Sequence, residues 1–200
     1  MGNTAERRRV ELRDHKRKAI LAAARRVCDA GGPEALTMRS VAAEAGYAPG
    51  AVYSYFAGID ELAIALAAEE LGHLGKRMRE AAEQAAGPVA ALEAAAKEAL
   101  KAASDNASHV RLAGRLMSAE VPPPELDRAV TGRVIAILET LGGPIRAATG
   151  LDGEAAHREI LCLAALIIGL RVLEGTGRLG PLGFTAEGLL AHKIATMTEA

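Results

Sequence analysis

The sequence predicts an all-α fold, and three features carry that prediction. Half of the residues are hydrophobic, and Ala and Leu dominate them; both are strong helix formers. Residues that favour strands are scarce, since aromatics make up 2% of the chain and tryptophan is absent. Gly and Pro breakers divide the chain into helical lengths. The apolar content suffices for a real core and is too high for a disordered chain. A chain of 200 residues fits one or two domains.

The elements can be justified in order. A first helix is expected from about Asp14 to Ala30, with Ile20, Ala24, Val27 and Cys28 as its apolar stripe. GGP at 31–33 ends it. Thr37 reads as an N-cap. Met38, Val41, Ala42 and Ala45 follow at helical spacing, giving a short helix over 38–45. Gly46 suits the left-handed turn that closes it. A third short helix is expected over 49–56, with Pro49 in its first turn. A longer helix follows from about Asp60 to Ala86, weakened by Gly72 and Gly75. Pro88 opens the next, to about Ala103. Another covers about 107–119 and stops at the prolines 122–124. The next runs from about Glu125 to Leu141, where GGP (142–144) should kink or break it. Asp152 caps a long apolar helix to about Glu174. EGTGRLGPLGF (174–184) is a Gly-rich loop, and Thr185 caps a last helix to about Met197. The sum is about nine helices, three short ones followed by a larger bundle.

Net charge is −1, so the chain as a whole is not a basic nucleic-acid binder. Its distribution is uneven. Residues 1–60 hold 10 Lys+Arg against 7 Asp+Glu, and residues 61–200 hold 14 against 18. A positive N-terminal part on a negative body suggests one end that faces an anionic partner. The two cysteines, Cys28 and Cys162, form no CxxC pair, and buried thiols in a reducing compartment are expected. MGNTAERRRVELRDHKRK lacks the apolar stretch of a secretory signal. The longest strongly apolar run, LCLAALIIGL (161–170), is about half of the roughly 20 residues a membrane span needs. A cytoplasmic protein is expected, with no membrane partner.

Four of the five aromatic residues, Tyr47, Tyr53, Tyr55 and Phe56, crowd into one short stretch. The spacing around them is specific. A small residue, Ala42, lets two helices approach; Gly46 four residues later permits a turn; Val52, six further on, fills the space between them. That is the pattern of a helix-turn-helix, which presents its second helix to the DNA major groove. At about 100° per residue, Val52 and Phe56 share one face, while Tyr53 and Tyr55 fall on its opposite flanks, each roughly 80° from its centre. A flanking tyrosine can lay its ring on the protein and send its hydroxyl to a phosphate oxygen.

Residues 17–62, RKAILAAARRVCDAGGPEALTMRSVAAEAGYAPGAVYSYFAGIDEL, resemble the DNA-binding domain of the TetR family of bacterial transcriptional regulators. The resemblance rests on AILAAA, the glycine ending the first helix, LTMRSVAAEAG, and AVYSYF before an acidic-Leu start to the fourth helix. It covers about a quarter of the chain without a gap in spacing; the remainder is similar only in its helical pattern. The resemblance implies a three-helix head (14–59) behind a basic arm (1–13), joined to a six-helix ligand-binding and dimerisation bundle (60–200). It also implies roles by position. The Thr37 hydroxyl reaches a phosphate, and Arg39 contacts phosphate or a base edge. Ala48, Pro49, Gly50 and Ala51 open the recognition helix and face the groove. Tyr53 and Tyr55 grip the DNA backbone. This chain departs from the pattern in three places: Ile59 stands where a phosphate-pairing lysine is usual, Ala48 replaces a Ser or Thr cap, and Cys28 replaces a Phe.

Arg7, Arg8, Arg9, Arg13, Lys16, Arg17 and Lys18 precede or begin the first helix. They read either as an arm that enters the minor groove or tracks phosphates, or as a solvated charged tail interleaved with Glu6, Glu11 and Asp14. In the body, Leu161, Ala164, Ala165, Ile168 and Val172 line one long helix, and Leu163, Leu166, Ile167 and Leu170 continue the apolar surface around it. A helix so widely apolar is buried on several sides, which fits pairing with a second copy. The effector pocket has weaker candidates, His73, Met78, His109, Arg115 and Met117, each of which also reads as an ordinary core or surface residue. Scarce aromatics favour an aliphatic effector. Gly72 and Gly75 read as close helix packing or as a hinge.

Signs of catalysis are few: there is no GxSxG and no HExxH. His15, His73, His109, His157 and His192 are widely spaced, and no Cys/His set has zinc-ligand spacing. No cofactor, metal or catalytic residue is implied. The expected function is a homodimeric TetR-type repressor, released from a palindromic double-stranded DNA operator by a small-molecule effector. The alternative is a helical small-molecule-binding protein with weakened or lost DNA binding.

Overall fold

A computed structural model describes residues 3–102 and 124–199. Among the described residues the secondary structure is all-helical. In chain order the helices are α1 (Asn3–Gly31), α2 (Met38–Ala45), α3 (Pro49–Tyr53), α4 (Ile59–Glu83), α5 (Pro88–Ala102), α6 (Pro124–Thr149), α7 (Gly153–Gly175) and α8 (Ala186–Thr198). Short 3-10 turns lie at Pro33–Ala35 and Gly180–Leu182. The helix expected at 107–119 lies outside the described residues. The chain divides into two compact units: the first takes α1 to α3, α4 as far as Ala67 and the start of α6 as far as Leu126, and the second takes the rest of α4 and α6 with α5, α7 and α8.

The first unit is built on one apolar cluster. Ile20, Ala23 and Ala24 of α1 meet Val41 and Ala42 of α2, Val52 of α3, Phe56, and Leu62 and Leu66 of α4, all nearly or fully buried. Short helices cannot hold themselves; an isolated helix needs about 12–15 residues to be even marginal in water. α2 and α3 therefore depend on this cluster, and α2 also on its capping box. α1 begins at Asn3 rather than near Asp14, so the basic segment is helical. The reason is local. No Gly or Pro interrupts 3–30, good helix formers fill it, and Asp14 and Lys18 stand four residues apart in the favourable order. The apolar stripe that marks a helix in sequence starts only at Ile20, so the stripe underestimates the helix.

The second unit has its own core. Met78 of α4, Leu92 and Ala96 of α5, Leu141 and Ile145 of α6, Ile160, Leu163 and Ile167 of α7, and Leu190 and Ile194 of α8 are buried together. GGP (142–144) does not break α6, which continues past Pro144 to Thr149. An interior proline costs about 3 kcal/mol. Breaking the helix there would disturb Leu141 and Ile145, each worth roughly 1.5–3 kcal/mol when fully buried. Burial therefore outweighs the lost hydrogen bond. Gly142 has a further use: a Cβ there would lie 2.8 Å from Ile160 Cδ1, so the missing side chain lets α6 approach α7. Gly72 and Gly75 likewise leave α4 unbroken. A Cβ on them would meet Arg133 Nε at 3.1 Å and Ile137 Cγ1 at 3.4 Å, which supports close packing against α6.

Caps close the body helices. Asp152 Oδ1 accepts from Gly153 N–H at 2.6 Å, and Thr185 Oγ1 accepts from Gly188 N–H at 3.1 Å. α7 buries Leu163, Ile167 and Leu170 and turns Leu161, Ala165, Ile168 and Val172 outward; Ala164 is half-buried. Leu161 and Ile168 are 58% and 66% exposed. Cys28 is buried as expected, but Cys162 is exposed, because it sits beside Leu161 on that outward face. Among the described residues no helix is long and apolar enough to cross a membrane.

Candidate nucleic-acid interface

The head is fixed by hydrogen bonds that its sequence supplies residue by residue. Thr37 caps α2 in extended geometry. Its Oγ1 accepts from Ser40 N–H at 3.0 Å, and Ser40 Oγ accepts from Thr37 N–H at 3.0 Å. Ser40 Oγ also donates to Ala35 O at 2.7 Å, tying the preceding turn to the helix. This reciprocal box satisfies donors that the helix start would otherwise leave orphaned. At the other end, Gly46 is left-handed with φ 72°, and Tyr47 N–H donates to Ala42 O at 2.9 Å. A side chain at such a φ costs about 1–2 kcal/mol, so the glycine is needed for the turn.

α3 is shorter than expected, ending at Tyr53 rather than Phe56. The chain tightens there: Tyr55 N–H donates to Val52 O at 3.0 Å, and Phe56 N–H donates to the same oxygen at 3.1 Å. Val52 and Phe56 still fall together in the core. Pro49 occupies the first turn, and Ala48 offers no side-chain cap. Ala48, Pro49 and Gly50 are exposed, Ala51 is half-buried, and nothing lies within 4 Å of a Cβ built on Gly50. The outer surface of α3 is therefore bare backbone and small side chains, able to approach another surface closely.

The two tyrosines differ. Tyr55 is half-buried against the head core, whereas Tyr53 is 55% exposed. A concave groove brings Tyr53 together with Thr37, Arg39 and Ile59, over a floor that includes Leu36 and Met38. Arg39 is exposed. A helix N-terminus, a guanidinium and a phenol around one groove suit a phosphate. Glu34 also lines this groove. Sequence reasoning missed it, because only the fold brings the turn at 33–35 to this groove. Ile59 adds an apolar side chain where the resemblance would place a lysine. Two further contacts stiffen the head: the Arg17 guanidinium lies 4.7 Å from the Phe56 ring centroid, and Arg26 Nε donates to Glu44 Oε1 between α1 and α2.

Of the pocket candidates, the two among the described residues are not brought together. His73 is exposed and Met78 is fully buried on α4. Five residues apart on a helix, they point about 140° away from each other. His109, Arg115 and Met117 lie outside the described residues. Among the described residues no group of three or more His, Cys, Asp and Glu could hold a metal ion.

A capped helix, a left-handed glycine turn and a second helix wedged on by a buried valine define a helix-turn-helix, carried on a chain whose described secondary structure is helical. Residues 20–66 match the family described as bacterial regulatory proteins, tetR family. The head is a tetR-family domain. No curated protein matches the chain. Solved structures are similar over nearly its full length. One is a protein with unknown function from Rhodococcus sp. RHA1, at 21% identity and TM-score 0.74, covering 92% of this chain and 94% of that one. A second is a bacterial regulatory protein in the tetR family from Rhodococcus RHA1, at 19% identity and TM-score 0.65, covering 92% and 95%. A third is the transcriptional regulator FadR from Bacillus subtilis in complex with stearoyl-CoA, at 18% identity and TM-score 0.66, covering 90% and 97%. At these identities the likeness is one of fold: the chain has the fold of TetR-family transcriptional regulators.

Proposed function

We propose that the protein is a cytoplasmic, homodimeric, ligand-responsive transcriptional repressor. The observation that carries this reading is the head: an exposed α3 of small residues, held by a capping box and a glycine turn, beside a groove lined by Thr37, Arg39 and Tyr53. Thr37, Arg39, Tyr53 and Tyr55 hold the DNA backbone, and Ala48, Pro49, Gly50 and Ala51 face the major groove. The small residues cannot form bidentate bonds to bases, so sequence choice leans on Arg39, backbone groups and DNA shape. The outward apolar stripe of α7 supports pairing with a second copy. Two-fold symmetry then sets two recognition helices about 34–36 Å apart on a palindromic site. The effector binds among the body helices, and scarce aromatics favour an aliphatic one. The stearoyl-CoA held by the structurally similar Bacillus subtilis FadR supports that class. An effector that binds better when the heads are splayed lowers DNA affinity by the same factor.

The test is fluorescence anisotropy of the purified protein on the DNA upstream of its own gene across a salt series, with Tyr53→Ala and Arg39→Ala beside it. Selective binding that weakens in both variants is the expected result. Binding no better than to random DNA, unchanged in both variants, opposes it. A second reading, a small-molecule-binding protein that has lost useful DNA affinity, is motivated by Ile59 in the groove and the uncapped Ala48. Under that reading, Ile59→Lys with Ala48→Thr restores tight DNA binding.

A further inference from the structure

Among the described residues, one buried side-chain donor in the body has no hydrogen-bond partner: the Nε–H of Arg171. Arg171 stands about one turn before the end of α7, and its side chain is only 10% exposed. Its Nη1 donates to Glu174 Oε2 at 2.6 Å. That ion pair leaves the Nε–H unanswered, and an unpaired buried donor is costly, more so on a charged group. The helix end does not call on it either. The carbonyls of Val172, Leu173 and Glu174 already accept from Thr176, Arg178 and Gly177 N–H at 2.8–3.1 Å. At about 100° per residue, Ile160, Ala164 and Ile167 fall within about 40° of Arg171. Ile160 and Ile167 lie in the body core with Ala95 and Ala96 of α5. Leu161, Ile168 and Val172, which face outward, lie about 60–100° away. The guanidinium is therefore buried at the edge of the core, off the outward face. From Arg171 back to Ile160 this row runs about 16 Å at 1.5 Å per residue, and Ile167, Ala164 and Ile160 make it apolar.

We propose that Arg171 is the anion-recognising residue of the effector site, and that the effector is an aliphatic carboxylate. Its two oxygens take the Nε edge of Arg171, and its alkyl chain lies along the row from Ile167 to Ile160. The proposal rests on the effector reading above and adds to it a charge and a residue. The chemistry follows from the guanidinium. Its Nε–H and the Nη2–H beside it form one edge of the fork, which matches a carboxylate side-on. Glu174 holds Nη1, at the far side, and so leaves that edge open. Among the described residues the guanidinium makes no other hydrogen bond or ion pair. A water molecule can answer the Nε–H, but it brings one acceptor rather than two and no preference among ligands. An alcohol of the same chain length likewise offers one neutral oxygen. The preference for a carboxylate over its alcohol is therefore the signature of this edge.

The full chain is titrated calorimetrically with sodium decanoate, 1-decanol and decanoyl-CoA near neutral pH, beside R171M, R171K and E174Q. Urea midpoints by circular dichroism accompany each variant. The wild type should prefer decanoate to decanol by roughly 10–100-fold. R171M removes the fork but keeps an apolar side chain of similar reach; it should lose that preference and keep its decanol affinity. R171K keeps the charge without the two-bond edge and should fall in between, which preserves the test if R171M does not fold. E174Q should bind decanoate as tightly as the wild type or tighter, since Glu174 competes for the same cation. If Arg171 only anchors Glu174, R171M and E174Q lower the urea midpoint alike and leave the decanoate preference intact, which overturns the proposal. Equal affinity of the wild type for decanoate and decanol, or binding of neither, overturns it as well. So does tight decanoyl-CoA binding that survives R171M, since the anion is then held elsewhere. Decanol that releases the upstream duplex with no preference for decanoate would keep the aliphatic effector and sink Arg171. Decanoate held through Arg171 with no change in duplex anisotropy would uphold the carboxylate site and sink the repressor reading.

Discussion

The head and the body of this chain solve different problems with different residues. The head carries all three tyrosines and one of the two phenylalanines; the body carries only Phe184. In the head, helices of 8 and 5 residues are pinned by a capping box, a left-handed glycine and a buried wedge. In the body, long helices meet through Ala and Leu, and glycines such as Gly142 and Gly75 set how closely they pack. A part that must present a fixed surface to a regular polymer needs each residue of its turn specified. A part that must enclose an interior needs only adequate volume and spacing.

The contrast can be broken most severely at Phe56. Phe56→Ala should cost about 3–5 kcal/mol, confined to the head. With no tryptophan present, tyrosine emission reports the head alone, while far-UV circular dichroism is weighted towards the body. The tyrosine transition in urea should move to lower denaturant and most of the helical signal should stay. If both signals move together, the two units are not energetically separate. The next test is Ile168→Glu, on the outward face of α7. An unpaired charge buried in an interface is costly, so it should weaken self-association by at least about a hundredfold with little change in protomer unfolding. Light scattering that finds the same oligomer in both proteins refutes the α7 interface.

Gly142→Ala sharpens the account of the body. Its Cβ would lie 2.8 Å from the buried Ile160 Cδ1, which must shift, so the helix-propensity gain of about 1 kcal/mol should be cancelled or outweighed. Gly143→Ala meets nothing within 4 Å and should be neutral or stabilising by up to about 1 kcal/mol. Equal urea midpoints for the two variants would contradict the packing role. The smallest effect belongs to the head's cap. Thr37→Ala should cost about 1 kcal/mol through the lost bond to Ser40 N–H. It should reduce DNA affinity more than stability, since the same residue lines the groove. Anisotropy and thermal unfolding on one sample separate the two.

The head was legible because its geometry forces particular residues into particular places: Thr37 before a helix, Gly46 where φ must be positive, Val52 and Phe56 a turn apart. The body was legible in its caps at Asp152 and Thr185 and in the stripe of α7. Misreadings arose where two local rules compete. The first helix was expected to begin near Asp14, close to the start of its apolar stripe, although the propensity of the preceding residues is helical; propensity prevailed. GGP was read as a kink or a break because proline lacks a donor; the helix is not broken, and the burial of Leu141 and Ile145 prevailed. Cys162 was expected inside because free thiols usually are, and the face it occupies decided otherwise. Glu34 in the groove could not be seen in advance, since only the fold brings the turn at 33–35 beside Tyr53.

The exposed thiol of Cys162 has a practical consequence. The only other cysteine is buried, so a maleimide spin label attaches to the native chain at one accessible place, on the outward face of α7. If two copies pair through that face, their labels lie close enough for strong dipolar broadening, which diluting labelled with unlabelled protein relieves. The wild-type sequence thus carries its own ruler for assembly, one that needs no engineered residue and can be read before any DNA or effector is found.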